Sequence, residues 1–216
     1  MIINLKDYTI AEHICFATGC LLWVVVYIIV IRNIIKHKYI EVPVVAVCAN
    51  VCWEFLWSFV FTTDMGSLYV WGYRIWFFLD CYIVYGMLRY GYKQMVVDQL
   101  KSYHVAIAIS WIAAWMGMLY FYILYYDAPI TKMGANSGYV LNVMMSALYI
   151  PLLLRQHSTY YFSKLAGWSK GVGTFLITIF CFLHFKDGFL LSMCVVTTIL
   201  DLIYIIMIPR LQLKKN

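Results

Sequence analysis

Seven predominantly apolar runs fill this chain almost end to end, at about 12–31, 42–62, 70–89, 103–126, 137–154, 167–185 and 188–209. A membrane-spanning helix needs about 20 such residues, so each run is long enough for one crossing. Of the 216 residues, 64% are hydrophobic and 12% charged, where a soluble domain carries about 25% charged residues. The expected fold is all-α: one polytopic membrane domain over residues 1–216, a seven-transmembrane-helix bundle. The connectors are short, none is rich in Gly, Ser or Pro, and no internal repeat stands out. The first run is too long for a signal-peptide core and is read as a retained span.

Charge orients the bundle. Arg32, Lys36 and Lys38, then Arg89, Lys93 and Lys101, then Arg155, Lys164 and Lys170, and finally Arg210, Lys214 and Lys215 fall on one side. Those are twelve of the sixteen Lys and Arg; Lys6, Arg74, Lys132 and Lys186 fall on the other. By the positive-inside rule the N-terminus is outside or lumenal and the C-terminus cytoplasmic. The net charge of +6 is thus a topology signal and gives no reason to expect nucleic acid. Tyr and Trp near the span ends, among them Tyr69, Trp71, Tyr103 and Trp168, read as interface anchors. The seven cysteines all fall in apolar runs without metal-ligand spacing, and His13, His37, His104 and His157 show none either. Neither a metal nor another cofactor is expected.

Against this background Glu54, Asp80 and Asp201 are conspicuous, because each lies inside a span. Intramembrane carboxylates are costly and usually face a protein interior at a functional site. At about 1.5 Å of rise per residue, Glu54 lies roughly 16 Å beyond Pro43, Asp80 roughly 14 Å before Arg89, and Asp201 roughly 12 Å before Pro209. The similar depth allows all three to converge on one cavity if their helices are neighbours. Helical spacing gives each acid companions: Asn50 and Trp57 beside Glu54, Trp76 and Tyr73 beside Asp80, Thr197, Thr198 and Tyr204 beside Asp201. Desolvation disfavours a charged carboxylate, so a buried acid can keep its proton at neutral pH and deliver it. Aromatic faces attract cations. An acid in a dry aromatic cavity suits proton-initiated cyclisation of a polyprenyl chain. The plainer alternative is an interhelical hydrogen bond, which weighs most for Asp80.

Three segments, Asn50-Val-Cys-Trp53-Glu54-Phe, Arg74-Ile-Trp76-Phe-Phe-Leu-Asp80 and Asp201-Leu-Ile-Tyr204, resemble the integral-membrane terpene cyclases of fungal meroterpenoid and indole-diterpene pathways, a family with bacterial relatives. The resemblance covers the whole arrangement, with the acids on spans two, three and seven. It implies that Glu54 and Asp201 are catalytic; Asp80, Asn50, Trp53, Trp57, Trp76 and Tyr204 are the candidate supporting residues around them. It further implies protonation of a terminal epoxide or alkene on a prenylated substrate, a carbocation cascade, and a closing proton loss. No metal is required in such a reaction, because no diphosphate is ionised, and the chain has no D-D-x-x-D motif.

Two rival functions fit parts of this pattern. A proton-coupled transporter would use intramembrane acids, but no repeat and no Gly/Pro-broken span supports one. A receptor would share the seven spans; a retinal pigment would need a mid-span lysine, and Lys170 and Lys186 are read at span ends. His184 is read as interfacial, Asn142 as an interhelical hydrogen-bonding group, and Arg74 as a headgroup contact or a partner of Asp64 or Asp187. The expected partners are the lipid bilayer and a prenylated small molecule. The expected membrane is a bacterial inner membrane or the endoplasmic reticulum, and nothing in the chain specifies an oligomeric state.

Overall fold

The structure is a computed structural model that describes residues 1–155 and 159–213; His157, Lys214 and Lys215 lie outside them. Among the described residues there are eight α-helices and no strand. In a bilayer every backbone N–H and C=O must find an internal partner, and a helix provides that within one segment.

Helix α1 (Ile10–His37) opens with a capping box: the Glu12 N–H donates to Thr9 Oγ1, and the Glu12 carboxylate accepts from the Thr9 N–H at 2.6 Å. It closes at Lys38 in the left-handed region. Helix α2 (Val44–Phe55) starts after Pro43, whose fixed φ suits a helix entrance, and runs on into a π-helical turn, Leu56–Val60. Helix α3 is Ser67–Tyr90, and α4 (Asp98–Lys101) is a single turn. Helix α5 (His104–Tyr122) also ends in a π turn, Ile123–Asp127. Helices α6 (Ala135–Arg155), α7 (Lys164–His184) and α8 (Gly188–Leu213) complete the chain. Single π turns inside helices often mark functional sites. Here one begins two residues after Glu54 and the other ends on Asp127.

Five helices are long and apolar enough to cross a membrane: α1, α5 with its π turn, α6, α7 and α8. Helix α2 with its π turn is a shorter apolar helix, Val44–Val60, and α3 is long but richer in polar residues. Each of the seven expected runs overlaps one helix, and five of those helices qualify as membrane spans by length and apolarity.

Contacts arrange the long helices in a ring. Helix α2 packs on α3, α3 on α1, α1 on α7, α7 on α8, α8 on α6, and α6 returns to α2, while α5 lies along the other side of α2. Small residues permit the closest crossing: a Cβ on Gly19 of α1 would stand 2.7 Å from the Gly173 carbonyl of α7, so these backbones nearly touch. The buried thiols of Cys48 and Cys52 point to the Ala108 and Ile112 carbonyls of α5, at 3.6 and 3.3 Å. The cysteines are all free. The ring leaves a cavity at its centre.

Candidate active site

The cavity has a free volume of about 70 Å3 and is walled by α1, α2, α3, the start of α6, and α7. Its lining is aromatic: Phe16, Trp23 and Tyr27 from α1, Trp53 from α2, Tyr73 and Trp76 from α3, and Tyr139 from α6. The polar lining side chains are few, with Glu54, Asn50 and Asn142 the carboxylate and the amides.

Glu54 is 1% exposed. Its Oε1 accepts from the Tyr27 hydroxyl and, at 2.9 Å, from Asn50 Nδ2. The i,i+4 spacing of Asn50 and Glu54 puts both on one face of α2. Its other oxygen, Oε2, is buried and has no hydrogen-bond partner. A buried polar atom without a partner is costly, so an unpartnered carboxylate oxygen on a cavity wall is available to a ligand. Asn50 Nδ2 also lies 3.4 Å from Asp80 Oδ2 and 2.8 Å from the Tyr27 hydroxyl oxygen. Asp80 faces a second, smaller cavity of about 20 Å3, which shares Trp23, Tyr27 and Asn50 with the first. Glu54 and Asp80 are therefore two ends of one polar cluster, with Asn50 between them.

Asp201 does not join that cluster. Its Oδ1 pairs with Lys170 Nζ at 2.6 Å, and Lys170 also donates to Ser146 Oγ at 2.7 Å. Neither cavity is lined by Asp201. The connection runs through Trp23, which lines both cavities and whose ring centroid lies 5.7 Å from Lys170 Nζ. The common depth of the three acids thus holds two of them together and leaves the third behind a tryptophan wall. Lys170 itself departs from its expected place: it is 2% exposed, inside α7, and belongs to the bundle core rather than to a basic loop. Helix α7 begins at Lys164, earlier than the apolar run suggests, which carries Lys170 inward.

The other expected residues divide in the same way. Trp53 and Trp76 line the main cavity. Trp57 is buried beside Trp53 with ring centroids 6.5 Å apart. Tyr204 packs tilted against Tyr149, 4.9 Å between ring centroids, and Tyr149 lines the smaller cavity, so Tyr204 stands behind that cavity's wall. Thr197 is fully buried with an unpartnered hydroxyl, and Thr198 bonds back to the Cys194 carbonyl. Arg74 pairs with neither Asp64 nor Asp187: its Nε donates to the Ser58 carbonyl at 3.3 Å and its guanidinium covers Trp71 and Phe59. The Asp64 carboxylate accepts from Tyr8 instead. His184 packs against Tyr8 and lies 3.2 Å from Glu12.

Sequence reasoning missed Tyr27, Asn142 and Ser137. Tyr27 sits in a span whose acid, Glu12, is tied up at the opposite end of the helix, and its hydroxyl donates to a residue 27 positions away. Asn142, expected between helices, lines the cavity. Ser137 Oγ accepts from the indole N–H of Trp53 at 2.7 Å and lies 3.4 Å from that of Trp57.

The model of a family described as Pyr4-like transmembrane terpene cyclases matches residues 5–212. Among curated proteins, the chain is similar to the Pyr4-family terpene cyclase mfmH of Annulohypoxylon moriforme, 23% identical over 207 residues, which covers 91% of this chain and 84% of that one. It is also similar to terpene cyclase spyD of Aspergillus fumigatus, 24% identical over 97 residues (45% of this chain, 40% of that one). Terpene cyclase trt1 of Aspergillus terreus is 27% identical over 101 residues, 44% of this chain and 49% of that one. No solved structure matches the chain. With apolar helices long enough to span a bilayer and a family match across nearly its whole length, the chain is a multi-pass integral membrane protein that belongs to the Pyr4-like transmembrane terpene cyclases.

Proposed function

We propose that this protein cyclises a prenylated small molecule by proton initiation, and that Glu54 delivers the proton. The observation that carries the reading is the buried, unpartnered Oε2 of Glu54 on the wall of an aromatic cavity. A carboxylic acid there can protonate a terminal epoxide or alkene. Tyr27 and Asn50 donate to its other oxygen and support the carboxylate left after the transfer. The cation then moves along a chain surrounded by Trp23, Trp53, Trp76 and Tyr73, whose π faces attract positive charge where water is excluded. Loss of a proton back to Glu54, the carboxylate on this cavity's wall, ends the cascade and restores the acid. Asp201 acts from behind the wall: with Lys170 it fixes the cationic neighbour of Trp23. The reaction as drawn ionises no diphosphate and calls on no metal.

In the same reading all seven long helices cross the bilayer as one domain. Helix α2 with its π turn and the more polar α3 supply the sixth and seventh crossings. With Lys170 removed from the loop charges, eleven Lys and Arg remain on the C-terminal side against four, so the C-terminus is cytoplasmic.

The test uses membranes that contain the wild type, Glu54→Gln or Asp201→Asn. Each is incubated with farnesylated and geranylgeranylated head groups and their terminal epoxides, and products are identified by mass spectrometry and NMR. The wild type is expected to form a cyclised isomer, and Glu54→Gln to slow it by about 10²–10⁴, the usual contribution of a general acid. A well-expressed Glu54→Gln that cyclises like the wild type removes Glu54 as the donor.

A further inference from the structure

Outside the Glu54 cluster the structure contains a second buried carboxylate network, and it ends on a cavity wall. Asp127 closes the π turn after α5 and is fully buried. It accepts from the hydroxyls of Thr131 and Ser137, from the Ser137 N–H at 2.8 Å and from the Asn136 N–H at 3.2 Å. Four donors and no acceptor is the pattern of an ionised carboxylate, seated at the N-terminus of α6 where the helix dipole favours negative charge. Ser137, whose hydroxyl points to Asp127, accepts in turn from Trp53 Nε1. The chain of donors therefore runs from the Trp53 indole through the Ser137 hydroxyl to the Asp127 carboxylate. Gly134, at φ 89°, brings the α6 entrance so close that an added Cβ would stand 2.9 Å from the Trp53 ring and 2.7 Å from that of Trp57.

We propose that Asp127 is a positioning residue for the cavity, acting through Ser137 to fix the ring plane of Trp53 and to enrich its π face in electrons. The inference rests on the cyclisation reading above. Hydrogen bonds in a chain polarise one another, and an anion at the far end draws the indole proton toward Ser137, which leaves more electron density on the ring. That ring lines the space in which the cation must travel, and its T-shaped contact with Tyr73, at 5.5 Å between centroids, holds the neighbouring wall. The relay thus governs how far the cascade runs before a proton is lost, while Glu54 governs whether it starts.

Two measurements test this on the full-length protein. In the first, indole 15N–1H spectra are recorded in nanodiscs, with the Trp53 signal identified by its disappearance in Trp53→Phe. Ser137→Ala and Asp127→Asn are expected to move that signal upfield, toward a weaker hydrogen bond; a signal that stays in place in both overturns the relay. In the second, the ratio of fully cyclised to early-terminated products is compared. Trp53→Phe and Ser137→Ala are each expected to lower it by about two- to five-fold, the range of a modest cation–π contribution, and the double variant no further than either alone. A product ratio equal to the wild type in Trp53→Phe overturns the electrostatic role. Wild-type membranes that leave every prenylated probe unchanged overturn the cyclisation reading and this role with it, while the indole spectra still decide whether the relay exists. Asp127→Asn also weakens the α6 cap, so Trp53→Phe, which leaves the cap intact, keeps the proposal testable if that variant does not fold.

Discussion

Lys170 and Asp201 form an ion pair in the middle of the bundle, 2.6 Å between Nζ and Oδ1, with both side chains almost fully enclosed. Each lies on a different helix, so the pair ties α7 to α8, and Ser146 extends it to α6. In a low-dielectric interior one member without the other is far worse than neither. Lys170→Met is therefore expected to destabilise the protein by about 3–5 kcal/mol, and Asp201→Asn by less, because the amide oxygen still accepts from the ammonium. Lys170→Met combined with Asp201→Leu is expected to recover much of the lost stability. Thermal melting in detergent across this set checks it; additive losses in the double variant would show that the two residues are not coupled.

The support of Glu54 by Tyr27 gives a second expectation. Tyr27→Phe keeps the ring on the cavity wall and removes the hydroxyl that donates to Glu54 Oε1 and accepts from Asn50. Hydrogen bonds to charged groups contribute about 1.5–3 kcal/mol, so the cyclisation rate should fall about 10- to 150-fold with the products unchanged in kind. A product mixture that changes while the rate does not would instead assign Tyr27 to the path of the cation.

How far the site was legible depended on whether the partners shared a helix. Asn50 beside Glu54 follows from i,i+4 spacing alone, and the structure has that hydrogen bond at 2.9 Å. The grouping of Asp201 with Glu54 rested on depth, which says nothing about azimuth around the ring. Asp201 faces α7, where Lys170 holds it at 2.6 Å. Lys170 was hidden by its neighbours, since Lys164 and Arg155 made it look like the third charge of a loop. Asp127 and Ser137 were beyond reach, because the carboxylate reaches the serine only by the turn between π helix and α6. The all-helical fold and the five helices long and apolar enough to cross a membrane were legible from hydropathy and length, whereas the π turns, which depend on local packing, were not.

Glu41 provides a pH dependence. It lies in the loop between α1 and α2 and joins two distant segments: Oε1 accepts from Asn33 Nδ2 and Oε2 from the Ser163 N–H, both at 2.8 Å. Burial, the dominant influence, outweighs these two hydrogen bonds and pushes its pKa up to about 7. The folded state therefore holds this proton more tightly than the unfolded chain, whose glutamate titrates near about 4.3. The associated stability is fully present below that lower value and is lost as pH rises through about 7. The loss amounts to about 4 kcal/mol on linkage arithmetic. Melting temperature measured from pH 5 to 9 should fall for the wild type, and Glu41→Gln should flatten that fall. An equal slope in the variant would place the titration elsewhere.

Gly134 makes the sharpest steric prediction. At φ 89° it occupies a conformation that other L residues rarely adopt, and an added methyl group would stand 2.7 Å from the Trp57 ring and 2.9 Å from that of Trp53. Both contacts are with rigid indoles, so the rings must move or the turn must open. Gly134→Ala is expected to cost about 1–3 kcal/mol, the range for overpacking a filled interior. In the same variant Trp53 is driven away from Ser137, so its indole 15N–1H signal should move upfield and the share of early-terminated products should rise. A variant that melts lower with an unmoved indole signal would mean that the turn yields instead of the ring. In that case the distance between α6 and α2 is set by the Trp53–Ser137 hydrogen bond rather than by the glycine.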